Sequence, residues 1–397
     1  MAFLYGNRHD EQYVFKRVSW ENFQEHESYS FIKGGSIEYA DSSSLKVTGS
    51  FPFEGYELPD ANDLVRIYYS FRDDNGEKFE DALATFFATY SELIHQDTTK
   101  GIKTSGTIRG ASVLTVLEEN KIGVPITIPK NENAVYAAEQ LAKSRGLPVD
   151  AEISSFTLSA DHTFDAGTSY LSMINWLLEI ASFNAAYPDA MGTVIMASKM
   201  NTVGRQYREY VQGLFPSSDL FPSSDLFPQT QTKTHDGIKF VNDSQSIMYP
   251  EIRAKNSYQS TPNVVRLLYN VDDACIIAEA RNLSGSRYSL SSRGGRETTH
   301  FEEIGDLGIG NRAERLRQLA VEKLMELSCD VEYVNMEHAY IPVSLYDPTQ
   351  IKYGELEWEG NVDNIQIELS PSTRTQLEIK RTLLQDIIID SAAQVIR

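Results

Sequence analysis

Asp161, His162 and Asp165 are the residues whose types and spacing come nearest to a metal or proton-transfer site. The chain has seven histidines, scattered without an HExxH motif or another pairing that places two of them on one helical face. A metal site needs several ligands that converge on one ion. We therefore interpret residues 161–165 as a turn between a strand and a long helix, and we predict no metal-binding residue.

Carboxylates surround Trp358 in a pattern that could serve carbohydrate chemistry. Glycan hydrolysis uses two carboxylates at a defined spacing in a cleft with aromatic rings, and Glu357 and Glu359 flank this tryptophan. The acidic residues, Glu355 among them, alternate with Leu356 and Trp358, which is typical of a half-buried strand with a solvated acidic face. A carbohydrate-binding or glycan-hydrolysing protein that uses this region stays open as the alternative function.

Residues 308–313, GIGNRA, match the glycine pattern of a dinucleotide-binding turn. That site also needs a buried apolar strand directly before the glycines, whereas the preceding residues, HFEEIGDL, are acidic. Asn311 as the N-cap of a helix explains the pattern better. The sequence contains no GxSxG elbow and no papain-like cysteine context. We predict no catalytic residue, no cofactor-binding residue and no cofactor, and hence a protein that is not an enzyme.

The composition is that of a soluble and strongly acidic chain. It has 397 residues, of which 41% are apolar, and a formal net charge of −20. This length suffices for two or three domains. The charge repels nucleic acid and anionic membranes, so we expect no sequence-specific DNA binding and no stable membrane insertion. The sequence shows no secretory leader, which favours synthesis and assembly in a cytoplasm. Cys275 and Cys329 are interpreted as small buried residues.

The elements that position these residues begin with a β-rich segment. Short runs of alternating apolar and polar residues are separated by turns rich in Gly, Pro, Asn and Asp, which is typical of antiparallel strands with one buried face. We assign residues 1–112 to a first β-barrel domain that is built as a meander. Its predicted strands lie at residues 37–39, 45–47, 64–71, 84–90 and 102–108.

The period of the apolar residues changes after this segment. Apolar residues three and four positions apart predict helices over 133–145 and 168–187. Short strands are predicted at 153–158 and 193–197. The alternation of helices and strands indicates that residues 113–204 form an α/β insertion domain.

Residues 205–397 form a second β-barrel domain in this scheme, with a helix-bearing insertion at about residues 281–330. The spacing of its leucines predicts a helix over 311–327. The tail at 383–396 fits either an amphipathic helix or a last strand. Further strands are predicted at residues 238–241, 264–269, 275–280, 331–334, 341–345, 355–358, 365–369 and 377–379. The fold class is therefore mixed and β-rich (α+β), with two antiparallel β-barrel domains that carry α/β insertions.

Two segments lack such a pattern. Residues 281–300 are rich in Gly, Ser and Arg, which predicts a mobile loop. The arginines of this loop could also pair with an acidic neighbour across a subunit interface. Residues 215–226 contain the hexapeptide FPSSDL twice, and its regularly spaced prolines exclude both helix and sheet. This repeat is either a duplicated surface loop or an apolar loop that docks on a partner.

Three stretches resemble the baseplate hub or tail-tip proteins of tailed bacteriophages, including the N-terminal hub region of the tail-associated lysin family. Residues 49–90 contain the strand DLVRIYYSF, an Asp-Asn-Gly turn and the strand ALATFFATY. Residues 106–141 contain a Ser-x-Leu-x-x-Leu turn, the strand PITI and a helix. Residues 174–196 contain the end of a long helix, an Asp/Gly turn and a strand. The resemblance covers the first half of the chain by sequence and the second half by element order.

The resemblance implies a structural virion protein. Three chains would form a pseudo-six-fold ring of six barrels that caps the tail tube and has a lumen for DNA passage. Besides the homotrimer, the implied partners are the tail tube or distal tail protein ring on one side and tail fibre or receptor-binding proteins on the other. Duplex DNA would be bound only in transit. The implied location is the phage tail tip, assembled in the host cytoplasm, and we expect no appended enzymatic domain. The FPSSDL repeat is not part of this resemblance.

Overall fold

The computed structural model describes residues 9–29, 34–55, 64–72, 76, 78–199, 207–209, 237–242, 247–256, 261–271, 274–307, 311–328, 330–370, 374–383 and 388–396. The FPSSDL repeat, Cys329 and the glycines at 308–310 lie outside these residues, so the predictions made for them stay predictions. Cys275 is half-buried and forms no disulfide. Within the described part, no helix is long and apolar enough to cross a membrane.

The described residues of the first β-rich block form seven strands, and all but two of these were predicted from their alternating residues. They are β1 (His9–Val18), β2 (Glu25–Tyr29), β3 (Gly35–Ala40), β4 (Val47–Gly55), β5 (Leu64–Arg72), β6 (Lys78–Thr98) and β7 (Gly101–Ser112). The sequence analysis missed β1 and β2, which continue the sheet beyond β5.

The meander prediction was wrong in one respect, because β4 pairs with β7 instead of β5. Gly49 and Gly110 stand opposite each other in this pair. A Cβ atom on Gly110 would lie 2.6 Å from the ring of Phe86, and one on Gly49 would lie 2.5 Å from the ring of Phe51. The paired glycines therefore leave room for two core phenylalanines, a constraint on strand partners that alternation alone does not reveal.

The insertion contains three helices and five short strands. In chain order these are α1 (Thr115–Glu119), β8 (Ile126–Ile128), α2 (Ala134–Lys143), β9 (Val149–Ala151), β10 (His162–Phe164), α3 (Tyr170–Ile180), β11 (Tyr187–Pro188) and β12 (Val194–Met196). Both long helices were predicted, but α3 ends sooner because Ser182 adopts a positive φ of 63°. The strand predicted at 153–158 was wrong, because β9 forms earlier by parallel pairing with β12.

The second half of the chain contains eleven strands and one helix among its described residues. They are β13 (Tyr207–Glu209), β14 (Gly237–Val241), β15 (Met248–Asn256), β16 (Val264–Val271), β17 (Ala274–Ser284), β18 (Thr299–Glu303), α4 (Arg312–Ser328), β19 (Asp330–Ala339), β20 (Pro348–Tyr353), β21 (Leu356–Leu369), β22 (Arg374–Leu383) and β23 (Ile388–Ile396). The tail is thus a strand. The strand predicted at 341–345 was wrong, and that irregular stretch buries Ile341 and Leu345 in the core.

One largely antiparallel sheet of fourteen strands crosses both β-rich blocks. The long strand β21 pairs with β20 through its first half and with β3 through its second half, so it joins the two blocks edge to edge. The fold is therefore β-rich α+β with one large sheet and few helices, and the strand pairs of the described residues do not close into barrels. The domain boundaries at 112 and 204 stay predictions.

Three separate hydrophobic clusters lie within the described chain. The largest packs against the fourteen-stranded sheet and contains residues of both β-rich blocks. The second surrounds the helices of the insertion and also includes Val18 and Leu64 of the large sheet. The third lies between α4 and a four-stranded sheet with the order β18-β16-β17-β23. We call α4 together with this small sheet the α4 unit.

Candidate functional site

His162 lies on β10, where it takes part in packing. Its ring stacks on Trp176 of α3 with ring centroids 3.8 Å apart, and burial lowers the pKa of the imidazole. Asp161 accepts a hydrogen bond from the backbone N–H of Lys130 at 2.7 Å. Within the described residues, no three His, Cys, Asp or Glu side chains come together as a metal site. The turn predicted over 161–165 was misplaced, because residues 162–164 pair with β8 as strand β10 and the turn follows at residues 166–167.

Trp358 is only 8% exposed, and its side chain packs within the core of the large sheet. Glu357 and Glu359 are exposed on the opposite face of β21. A buried indole cannot stack on a sugar ring, and these two carboxylates share no cleft with it. The arrangement matches the solvated strand face predicted from the sequence and removes the structural basis of the carbohydrate alternative.

Asn311 caps α4 as predicted, because its side-chain oxygen accepts a hydrogen bond from the backbone N–H of Glu314 at 3.3 Å. The strand before it, β18, is an edge strand that pairs in parallel with β16 and has exposed alternate residues. A dinucleotide site needs a buried strand at this point. The glycine pattern therefore marks a helix start.

The arginine-rich segment is irregular at residues 285–298, as expected for the predicted mobile loop, but it is closely packed and hydrogen-bonded. Arg281 lies on β17 and pairs within the chain with Glu279 and with Glu297, the latter at 3.0 Å. Arg293 donates to the carbonyl oxygen of Thr261 at 2.9 Å, and Ser289 is fully buried. Internal hydrogen bonds hold the segment in place, which composition alone could not show.

The insertion meets the large sheet at what we call the sheet junction. It consists of Glu25, Arg66, Tyr68 and Thr85 of the sheet and the turn 189–192 of the insertion. The guanidinium of Arg66 donates to Glu25 at 2.7 Å, to Thr85 at 3.0 Å and to the backbone carbonyl of Met191 at 2.8 Å. The hydroxyl of Thr85 donates to the carbonyl of Ala190 at 2.8 Å. Arg66 is 3% exposed, so these bonds form in a largely dry environment.

Two tyrosines form a second layer of the sheet junction. Tyr187 of β11 and Tyr346 pack edge to face with ring centroids 5.0 Å apart. The hydroxyl of Tyr346 donates to Asp41, which also binds Lys46 at 2.7 Å. Burial acts to raise the pKa of Asp41, but the hydrogen bonds from Lys46 and Tyr346 outweigh it and lower that pKa. Burial also raises the pKa of the adjacent Asp347 to about 6.

A cleft of about 1560 Å³ separates the insertion from the α4 unit and reaches strands β21 and β22 of the large sheet. Its walls mix apolar and charged side chains, and the described lining residues form no reactive constellation of the kinds sought in the sequence. The lining side chains include Phe156, Trp176, Glu179, Leu319, Lys323 and Lys380.

At one end of this cleft, the insertion contacts the α4 unit at what we call the helix junction. It contains Ser159, Trp176, Ser182, Gly305, Asp306 and Arg315. Asp306 accepts hydrogen bonds from the backbone N–H of Ser159 at 3.2 Å and from its hydroxyl at 2.8 Å. A guanidinium nitrogen of Arg315 lies 3.3 Å from the hydroxyl oxygen of Ser182.

The β6–β7 hairpin exposes apolar side chains near its tip. Ile94 is 58% exposed and Ile102 is 62% exposed. Partner strands flank the base of the hairpin, since β5 pairs with β6 as far as Phe87 and β4 pairs with β7 from Thr104 onward. A two-stranded ribbon is marginally stable in water by itself. The register of the hairpin places Ile94 and Ile102 on opposite faces of the ribbon, so the tip exposes an apolar side chain on each face.

The sequence analysis missed the residues of both junctions. A lone arginine in the apolar strand LVRIYYSF was the one available indication of the sheet junction, because a buried charge needs partners. Asp306 gave no such indication, since it lies in an acidic stretch.

Comparison with protein-family models finds no match, and comparison with curated proteins finds none. Among solved structures, the tail protein from Neisseria meningitidis MC58 is similar over 93% of this chain and 96% of its own, with a TM-score of 0.59 and 10% identity. The 43 kDa tail protein of prophage MuSo2 from Shewanella oneidensis is similar over 93% of this chain and 98% of its own, with a TM-score of 0.57 and 10% identity. The chain therefore shares its fold with these two tail proteins.

Proposed function

We propose that this protein is a structural component of a phage tail, a baseplate hub or tail-tip protein related to the hub region of the tail-associated lysin family. The observation that carries the proposal is the end-to-end similarity of the fold to two tail proteins, each covered over nearly its whole length. Similarity over the whole chain supports this role by analogy of fold, and it does so more strongly than one shared domain would, because the arrangement of all the parts is shared.

The assembly that we propose is a homotrimeric ring with pseudo-six-fold symmetry. Each chain would contribute its two β-rich blocks as two neighbouring segments of the ring wall. The pairing of β21 with β3 supports this arrangement, because it already joins the two blocks edge to edge within one chain. Closure of each block into a barrel would then involve neighbouring copies of the chain.

The ring would cap the tail tube and leave a lumen through which DNA passes. A net charge of −20 suits a surface that DNA must pass without binding, because phosphate contacts with Lys and Arg supply most of the non-specific affinity for DNA. The tail tube or distal tail protein would bind one side of the ring and tail fibre or receptor-binding proteins the other. The protein would act in the virion as a non-enzymatic connector, after assembly in the host cytoplasm.

The apolar hairpin tip is our candidate for the contact between neighbouring copies. The next subunit would enclose the tip and bury Ile94 on one face of the ribbon and Ile102 on the other, since a closed ring repeats one heterologous contact around its axis. The double substitution of Ile94 and Ile102 by lysine should therefore weaken trimer formation without unfolding the chain. Val124→Lys changes an apolar side chain that is 70% exposed on the insertion, and it serves as the matched control.

The test is the mass and symmetry of the purified protein, by light scattering over a concentration series and by electron-microscopy class averages. We expect a trimer with a central hole wide enough for duplex DNA, which the double lysine variant loses and the Val124→Lys variant keeps. A chain that stays monomeric at every concentration would contradict the self-assembling ring. A trimer that both variants leave intact would place the subunit contact elsewhere.

A further inference from the structure

The helix junction differs from a continuous core. The hydrophobic cluster of the insertion and that of the α4 unit face each other across it but remain separate within the described residues. Helix α4 packs on β16, β17 and β23 of its own sheet. Small polar contacts between bodies that each have a core allow relative motion as the default.

Asp306 provides the most buried polar contact of this junction. The residue is 3% exposed and Ser159 is also 3% exposed, so water competes little for their two hydrogen bonds. Both bonds end on one carboxylate oxygen, and a charged acceptor makes such bonds roughly twice as strong as neutral ones. One aspartate side chain therefore links the backbone and the hydroxyl of the insertion to the α4 unit.

Gly305 brings the chain close to the indole of Trp176 beside this contact. A Cβ atom at Gly305 would lie 3.0 Å from the indole ring, and the ring of His162 stacks on the same indole. Trp176 also lines the cleft. The tryptophan therefore reports directly on whether the 305–306 segment is seated.

The other polar contacts described between the two walls are more exposed, and they include the half-buried approach of Arg315 to Ser182 at 3.3 Å. Lys323 lies 3.2 Å from Glu302 of its own unit and 3.9 Å from Glu179 of the insertion, and the Glu179 side chain is 63% exposed. Solvent screening weakens such a pair. The contacts away from Asp306 are thus poorly suited to hold the cleft at a fixed width by themselves.

We propose that the α4 unit is a movable body and that Asp306 is the latch that seats it on the insertion. Release of the carboxylate from Ser159 opens the cleft by rotation or displacement of the α4 unit, while the sheet junction keeps the insertion fixed to the large sheet. The inference goes beyond the proposed function, because it concerns one chain and holds whether or not that chain forms a ring.

The test compares Asp306→Ala with Glu303→Gln in the full-length chain. Glu303 lies three residues before Asp306 and also lines the cleft, but it is exposed and accepts its hydrogen bond from Asn270 of its own unit, at 2.6 Å. Hydrogen exchange by mass spectrometry follows residues 153–162 and 302–315, with β5 as the internal reference. Acrylamide quenching follows Trp176, with the signal of the other two tryptophans obtained from a Trp176→Phe variant.

In Asp306→Ala we expect exchange in the two junction segments to rise about tenfold or more, because charge-assisted bonds that oppose local opening are lost. Quenching of Trp176 should increase, and β5 should exchange as in the parent protein. Ser159→Ala removes the hydroxyl donor and keeps the backbone donor, so it should give a smaller rise in the same segments.

Two results would contradict the proposal that Asp306 is the latch of the α4 unit. Unchanged exchange and quenching in Asp306→Ala would show that other contacts seat the α4 unit. A rise of equal size in β5 would show that Asp306 supports global stability. If Asp306→Ala folds poorly, the milder Ser159→Ala variant still distinguishes global unfolding from local opening.

Discussion

At the sheet junction, the guanidinium of Arg66 is 3% exposed and reaches three different segments of the chain. At the helix junction, one buried aspartate meets Ser159, and Arg315 approaches Ser182 at 3.3 Å, beside a cleft of about 1560 Å³. The same insertion is thus fixed to the large sheet by a dense network and to the α4 unit by a sparse one. The difference indicates which boundary of the fold is rigid and which can open.

Loss of Arg66 should have the largest effect on stability. Arg66→Ala leaves the carbonyl of Met191 and the hydroxyl of Thr85 without the guanidinium, and it leaves the Glu25 carboxylate without its closest cation. Breaking a buried charge pair on one side costs about 3–5 kcal/mol, and the partial exposure of Glu25 places the expected loss near the lower limit. Urea denaturation measures this loss as a lower unfolding midpoint.

Arg253→Ala is the control for this prediction, because Arg253 is largely exposed and pairs with the equally exposed Glu251. We expect no measurable change in its unfolding midpoint. If Arg66→Ala also left the unfolding midpoint unchanged, the sheet junction would not be the rigid boundary that its geometry indicates.

The strands of this fold could largely be predicted from the sequence, because alternation of apolar and polar residues marks a half-buried strand locally. The partners of the strands could not, since alternation identifies a buried face and not a neighbour. The pairing of β4 with β7 depends on Gly49 facing Gly110. In place of the two closed barrels that we expected, the structure has one sheet in which β21 pairs with β3.

The junctions were beyond sequence reasoning for a related reason. The partners of Arg66 lie 41, 19 and 125 residues away, and Asp306 is 147 residues from Ser159. Such contacts depend on tertiary packing and leave no periodic pattern. Helix α3 shows the same limit on a smaller scale, because its apolar stripe continues past the turn where Ser182 ends it.

The second prediction concerns the pH dependence of the sheet junction. Burial raises the pKa of Asp347 to about 6, whereas an aspartate of the unfolded chain has a pKa of about 3.9. The folded state therefore favours the protonated form, and the stability contributed by this group is full below the unfolded pKa and is lost as pH rises towards 6. Asp347→Asn should stabilise the protein by about 1–2 kcal/mol at neutral pH.

Urea denaturation at pH 7.5 and pH 4.5 checks this, with Asp390→Asn on the exposed edge of β23 as the control. The gain in unfolding free energy of Asp347→Asn over the parent protein should be smaller at the lower pH, because the folded parent protein then also carries a neutral side chain at this position. An advantage that is the same at both pH values would assign the effect to the shape of the side chain and not to its charge.

The smallest effect should come from the ion pairs that face the cleft. Lys323→Met keeps the apolar stem of the side chain and removes its contacts with Glu302 at 3.2 Å and Glu179 at 3.9 Å. Because these groups are partly exposed, we expect a loss of less than about 1 kcal/mol in urea denaturation. The loss should shrink further at high salt, which screens exposed pairs. A loss as large as that of Arg66→Ala would contradict the comparison, because the helix junction would then be held by a charge network and would need more than the release of Asp306 to open.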